Sequence, residues 1–448
     1  MVDSSLNERK AGWKFPKEFW LANFMELCER AAYYGFFIVL TLYLTNIVGF
    51  TDTETGIVAG VFYALLYFLP PFAGAVSDKI GFKNGLILAF ALLTVGYALL
   101  GMFHSKDLVL LFLFIILVGG SFIKPLITGT VAKTTDEDTR ARGYALFYWI
   151  VNIGSFSGKT LVPYIRQGIG LEYVNYFSSA MSCMAMLFAV FFFKQNNTSH
   201  NNKSVSEVVN SLKKILTQPR LVILILIISG FWIIQQQLYA TMPKYVIRLR
   251  GDEARPEWLA NVNPAVVVLF VVLVTNIMKK RKAITSMLAG MILMPFSAFA
   301  MSFSNTLEGI AGTNISVFGL DFHPITIMLV IGIAIQGLAE CFISPRFLEY
   351  FSFQAPKGEE GAYLGFSHLH SFISALVGFI MSGFLLDKYC PDPKTLPSGI
   401  SEIERASYYA NAHVIWYYFL AIGFAAAIAL LIFKYVTDRI DIKKGNAN

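Results

Sequence analysis

Stretches of about twenty apolar residues recur along this chain from end to end, and they leave it few folds to choose from. In hydrocarbon every backbone N–H and C=O must be satisfied within the segment or a closed barrel, so runs of this length are read as helices crossing a bilayer. Twelve can be counted, at roughly 18–47, 54–78, 83–103, 107–132, 140–165, 172–193, 220–246, 257–278, 283–303, 324–353, 360–387 and 409–435. Composition agrees: of 448 residues 56% are hydrophobic and only 15% charged, against ~25% charged in soluble domains. The expected fold class is an all-α membrane protein, twelve transmembrane helices in two six-helix bundles.

Lysine and arginine set the expected orientation. Segments on the side of the N-terminus hold Arg9, Lys10, Lys14, Lys17, Lys79, Lys133 and the run Lys279-Lys280-Arg281-Lys282. The opposite side holds fewer, among them Lys106, Arg166, Lys244 and Arg248. This bias places both termini in the cytoplasm. The net charge of +7 is therefore loop charge and not a nucleic-acid surface. Residues 1–17 have no apolar core, so no cleaved signal is expected and the first span serves as the signal.

The longest cytoplasmic loop, 195–219, separates residues 1–194 from 220–448, which divides the chain into two bundles of six. Within it Val205, Val208, Val209, Leu212, Ile215 and Leu216 share one face, an amphipathic helix on the inner surface. The loop at 304–323 is expected outside. No C-x-x-C pair occurs among the four cysteines, so neither a zinc site nor a disulfide framework is indicated. No nucleophile–base set or His-Glu-x-x-His pattern points to an enzyme.

Span one carries Glu26-Leu27-Cys28-Glu29-Arg30 deep in apolar surroundings. A charge at mid-bilayer costs ~2.5–3.5 kcal/mol, so three survive only by facing a wet interior and neutralising one another. Glu26 and Arg30 are an i, i+4 pair, and Glu29 shares their face. Arg30 can pair with one acid, and the other is left able to take and release a proton; the alternative is a static ion pair.

Further polar residues interrupt other spans. Span four has Lys124-Pro125, a charge and a lost backbone bond together, which fits a helix lining a cavity. Span five has Phe147-Tyr148, Asn152, Gly154 and Ser155, the small residues allowing close helix contact. Lys159 lies further along nearly the same face, either lining the outer cavity or snorkelling to the interface. His368 and His370 of span eleven are read as packing and hydrogen-bonding groups. Gly74-Ala75-Val76-Ser77-Asp78-Lys79-Ile80-Gly81 closes span two; Asp78 and Lys79 can latch two bundles there. This loop resembles the G-x-x-x-D-[RK]-x-G motif of the major facilitator superfamily.

Taken together, Glu26-x-x-Glu29-Arg30 with Tyr33-Tyr34-Gly35, Lys124-Pro125, and Phe147-Tyr148-x-x-x-Asn152-x-Gly154-Ser155 resemble the proton-coupled oligopeptide transporter family. Phe231-Trp232, Asn263-Pro264 and Glu340-x-x-x-Ser344-Pro345 extend the resemblance into the second half. It implies a major facilitator fold and proton-driven import of di- and tripeptides by alternating access, in the cell membrane, with no cofactor and as a monomer. By the same resemblance Glu26, Glu29 and Arg30 serve proton coupling. Arg30 and Lys124 would meet the peptide carboxylate, and Asn152, Asn263 and Glu340 its amino group. Tyr33, Tyr34 and Tyr67 would line the site, with Trp232 and Gln236 from span seven. Asp78, Lys79 and Lys124 would act as gates; Arg346, standing where the family usually has an apolar residue, is read from its place near Glu349 as a local inner gate.

The chain departs from the family pattern in places. Ala31 replaces an aromatic residue, Phe36-Phe37 stands where many bacterial members carry a second arginine, and Gln235-Gln236-Gln237 replaces the span-seven acid that normally pairs with the span-four lysine. Arg346 follows Ser344-Pro345 and lies near Glu349. The alternative function is a proton-coupled carrier of another small charged solute, an amino acid or an anion.

Overall fold

The computed structural model describes residues 15–135, 139–194, 204–317, 319–356 and 360–445, with the side chains at 78, 140–142, 360–362, 402, 444 and 445 outside the description. Among these residues ten helices are long and apolar enough to cross a membrane alone, and the bent pair Asp52–Phe68 and Pro70–Ser77 makes an eleventh. The helix Arg140–Gly168 completes the twelve expected spans. Hydropathy misses it because its polar side chains, among them Asn152 and Lys159, interrupt the run. Trp149, Phe156 and Leu161 nonetheless cover its exposed surface, which suits lipid.

Several spans expected as continuous are broken. Pro70 and Pro71 open the second helix of span two and bend it by 46° from the first. That second helix ends at Gly81, whose φ of 84° only glycine adopts without strain, so the motif loop turns sharply there. Span seven, Pro219–Gln235, pauses at Gln236 and continues through Gln237–Ala240 and Met242–Arg250. Span eight begins as Pro256–Leu259 and resumes at Val262–Met278. Span eleven is interrupted at His368, between Glu360–Ser367 and Leu369–Tyr389.

One apolar cluster gathers around Phe36, Phe37, Phe90, Ile116 and Ile123 of the first six spans. Another gathers around Ile228, Ile234, Met287, Ile333 and Phe419 of the last six. Spans two and eleven cross between them in close backbone contact. A Cβ at Gly56 would lie 2.4 Å from the Phe379 carbonyl oxygen, and one at Gly383 would lie 2.5 Å from that of Asp52.

The linker helix is Val205–Leu216, started by a capping box between Ser204 and Glu207. Val208 and Ile215 are buried, whereas Val205 and Leu216 are exposed. The segment after span nine adds a short helix, Ser304–Ala311, and an antiparallel hairpin, Ile315–Val317 with Leu320–Phe322, which lack a hydropathy signal. The loop 196–202 lies outside the described residues.

Candidate functional site

Span one places Glu26, Glu29 and Arg30 on one face, and span five presses against that face through glycines. A Cβ at Gly154 would lie 2.7 Å from Arg30 Cβ, and one at Gly158 would lie 2.3 Å from the Ala31 carbonyl oxygen. Arg30 Nε lies 3.3 Å from Glu26 Oε1, and its guanidinium also pairs with Glu29. Both acids are buried. They therefore share one base, and Glu26 Oε2 is buried with no hydrogen-bond partner among the described residues. The guanidinium stands 5.0 Å from the Tyr33 ring centre and 5.8 Å from that of Tyr34, within cation–π range.

These side chains form the wall of a cavity of about 600 Å³, shared with Tyr33, Tyr34, Tyr67 and Lys124. Lys124 Nζ points into it, 5.5 Å from the Tyr67 ring centre, with no carboxylate within 4 Å among the described residues. The wall includes the bend prolines Pro70 and Pro71, Pro125 and, from the last six spans, Leu364, Gly365 and His368.

Glu340 does not belong to that wall. Its carboxylate accepts from Gln235 Nε2 at 3.1 Å and Asn263 Nδ2 at 3.3 Å, and no cation lies within 4 Å among the described residues. The structure thus brings Asn263 beside Glu340, and other residues expected at the site turn elsewhere. Asn152 donates to the Tyr148 carbonyl one turn back in its own helix, at 2.8 Å. Trp232 stacks on His370 at 5.2 Å between ring centres. Gln236 is buried against span eleven at Gly378. Gln235 is the glutamine of this run that bonds Glu340. Neighbouring residues on a helix point about 100° apart, so one of the three glutamines faces span ten.

The expected gates are partly within reach. The Asp78 side chain lies outside the described residues, and Lys79 is exposed. Arg346 Nη1 donates to Glu349 Oε2 at 2.6 Å, within span ten, and its Nε and Nη2 are buried without partners among the described residues.

A cluster that sequence reasoning missed joins the two halves at the end opposite the start of span one. Asp52 takes Lys244 Nζ at 2.5 Å and Arg248 at 2.6 and 2.9 Å, and all three side chains are buried. Arg248 also reaches the Cys390 carbonyl at 2.5 Å. Nearby, Arg166 of span five pairs with the buried Glu257 of span eight at 2.7 Å. Among the described residues, every ion pair between the first six spans and the last six lies at this end. A capping box between Thr51 and Glu54 starts the helix that carries Asp52, and no local pattern in the sequence points to Lys244.

Comparison with known proteins now bears on this geometry. The family model described as Major Facilitator Superfamily matches residues 22–318. A dipeptide and tripeptide permease B of Xenorhabdus bovienii is 33% identical over 162 residues, 35% of this chain and 33% of that protein. A dipeptide and tripeptide permease A of Salmonella typhimurium is 31% identical over 247 residues, 53% of this chain and 48% of that protein. The chain thus spans half or less of the length of these two relatives. Among solved structures, a POT family transporter in complex with 5-aminolevulinic acid superposes with a TM-score of 0.74 at 16% identity, covering 95% of this chain and 97% of the other. The transporter PepTSo of the same family gives 0.73 at 18%, covering 95% and 99%.

Proposed function

The chain belongs to the major facilitator superfamily, and we propose that it is a divergent proton-coupled oligopeptide transporter that imports di- and tripeptides by alternating access. The observation that carries this reading is the pair of buried acids, Glu26 and Glu29, sharing the single guanidinium of Arg30 on a cavity wall that also presents Lys124. One proton on the acid pair brings the trio to neutrality, and a peptide carboxylate arriving at Arg30 competes with the acids for the same donors. Binding the anion and moving the proton are then linked events. The permease names of the curated relatives support the cargo. The peptide's carboxylate goes to Arg30 and Lys124, and its ammonium goes to Glu340, held by Asn263 and Gln235.

Two bundles, 1–194 and 220–448, rock about the site, with 195–219 as the link. The buried Asp52–Lys244–Arg248 cluster acts as the outer lock, and the cavity then communicates with the cytoplasm, where both termini lie. Opening outward requires those charges to part and others to meet inside, where Arg346 has unused donors. Such a carrier works as a monomer in the cell membrane and takes its energy from the proton gradient, without a cofactor.

The test is reconstitution. Proteoliposomes with acid outside should accumulate labelled Ala-Ala above the external concentration, and a protonophore should abolish the accumulation. Accumulation of an amino acid or anion with no movement of Ala-Ala would replace the peptide reading by that of another solute.

A further inference from the structure

We propose that Lys159 makes this site selective for peptides whose first residue carries a carboxylate side chain, an inference that rests on the peptide reading above. Lys159 is 1% exposed, on span five, at the seam with span eight. Its ammonium has a long bond, 3.4 Å, to the Ala260 carbonyl, and the Tyr34 ring centre lies 5.5 Å away. Among the described residues no carboxylate comes within 4 Å of it. A buried ammonium held by one carbonyl and a ring face lacks the counter-charge that such a group requires.

Tyr34 connects this cation to the cavity. Its ring is on the cavity wall, with Lys159 near it and the Arg30 guanidinium 5.8 Å from its centre. Span eight connects the cation to Glu340. Ala260, which takes the Lys159 bond, is three residues before Asn263, which donates to Glu340. The unpaired ammonium and the carboxylate without a cation thus take their span-eight partners from residues three apart, across the break between Pro256–Leu259 and Val262–Met278.

A glutamyl or aspartyl first residue carries an ammonium and a side-chain carboxylate, the charges complementary to this pair. With its ammonium on Glu340, its side chain extends towards Lys159, whose flexible stem can follow it. The peptide's terminal carboxylate remains for Arg30 and Lys124.

The experiment measures binding of Glu-Ala, Gln-Ala and Ala-Ala to the purified full chain by calorimetry. In the wild type Glu-Ala should bind about tenfold or more tighter than Gln-Ala, the scale of a buried charge pairing. In Lys159→Gln, and in Lys159→Met, that ratio should collapse towards one. Equal affinities in the wild type overturn the inference without any variant, as does a ratio that survives in both variants. If Ala-Ala and the other two peptides all fail to bind the wild type, the peptide reading itself falls.

Discussion

Asp52, at the start of span two, and Lys244, beyond the break in span seven, meet at 2.5 Å although 192 residues separate them. With Arg248 on the same carboxylate, the cluster buries two cations on one acid. Removing the acid leaves Lys244 without a carboxylate partner, at ~3–5 kcal/mol, and leaves Arg248 only Asp392 at 3.8 Å. Asp52→Asn should therefore disfavour the state in which this end is shut. In a background with the native cysteines replaced, a cysteine at Thr160, which here bonds Asn261 across the same seam at 3.1 Å, should be labelled faster by an impermeant maleimide. Unchanged labelling would mean that the cluster does not hold this end closed.

The acid pair makes a second prediction. Glu26→Gln or Glu29→Gln keeps the shape of the side chain but cannot carry the proton. Each variant should lose accumulation driven by the proton gradient and retain exchange of labelled for unlabelled peptide. Full accumulation by both would make the two acids structural.

Glu340 makes the third. Its only donors among the described residues are two neutral amides, which leaves the charge free for a ligand cation. Loss of such a buried charged contact costs ~2–5 kcal/mol, so Glu340→Gln should weaken Ala-Ala by tens to thousands of fold. An analogue without the amino group should bind both proteins nearly alike. The four affinities form a double-mutant cycle, and simple additivity would show that Glu340 does not hold the amino terminus.

The crossing of spans one and five makes the fourth. A methyl group at Gly158 would lie 2.3 Å from the Ala31 carbonyl oxygen, a backbone atom with no rotamer to move. Gly158→Ala should force the helices apart at a cost of ~1–3 kcal/mol, shift Arg30 and reduce peptide uptake sharply. Gly168→Ala, in the same helix with nothing within 4 Å of its new methyl, is the control and should transport normally. Equal uptake by the two variants would separate the crossing from the site.

Much of this molecule is written in local patterns. A bilayer core requires about twenty apolar residues per crossing, so most spans could be bounded to within a few residues from the chain alone, while the last, expected at 409–435, runs as a helix from Val414 to Gly445. The helical repeat puts Glu26, Glu29 and Arg30 on one face whatever surrounds them. Span two reads as continuous over 54–78 in the sequence, whereas the structure bends it at Pro70-Pro71 and turns it at Gly81, where proline and glycine act through backbone limits.

Other features were decided only when the spans packed. Lys244 and Arg248 count as external loop charges in the sequence, and the fold buries them on an acid from the opposite half of the chain. Lys159 could have reached the interface, yet the close approach of span five to span one and the seam with span eight enclose it. Gln235, Gln236 and Gln237 are equivalent in sequence, and the rotation of span seven against span ten gives the Glu340 contact to Gln235. Helical periodicity carries information across about four residues. A contact between spans depends on where each helix breaks and how it is rotated about its axis, and side-chain packing from distant parts of the chain sets both.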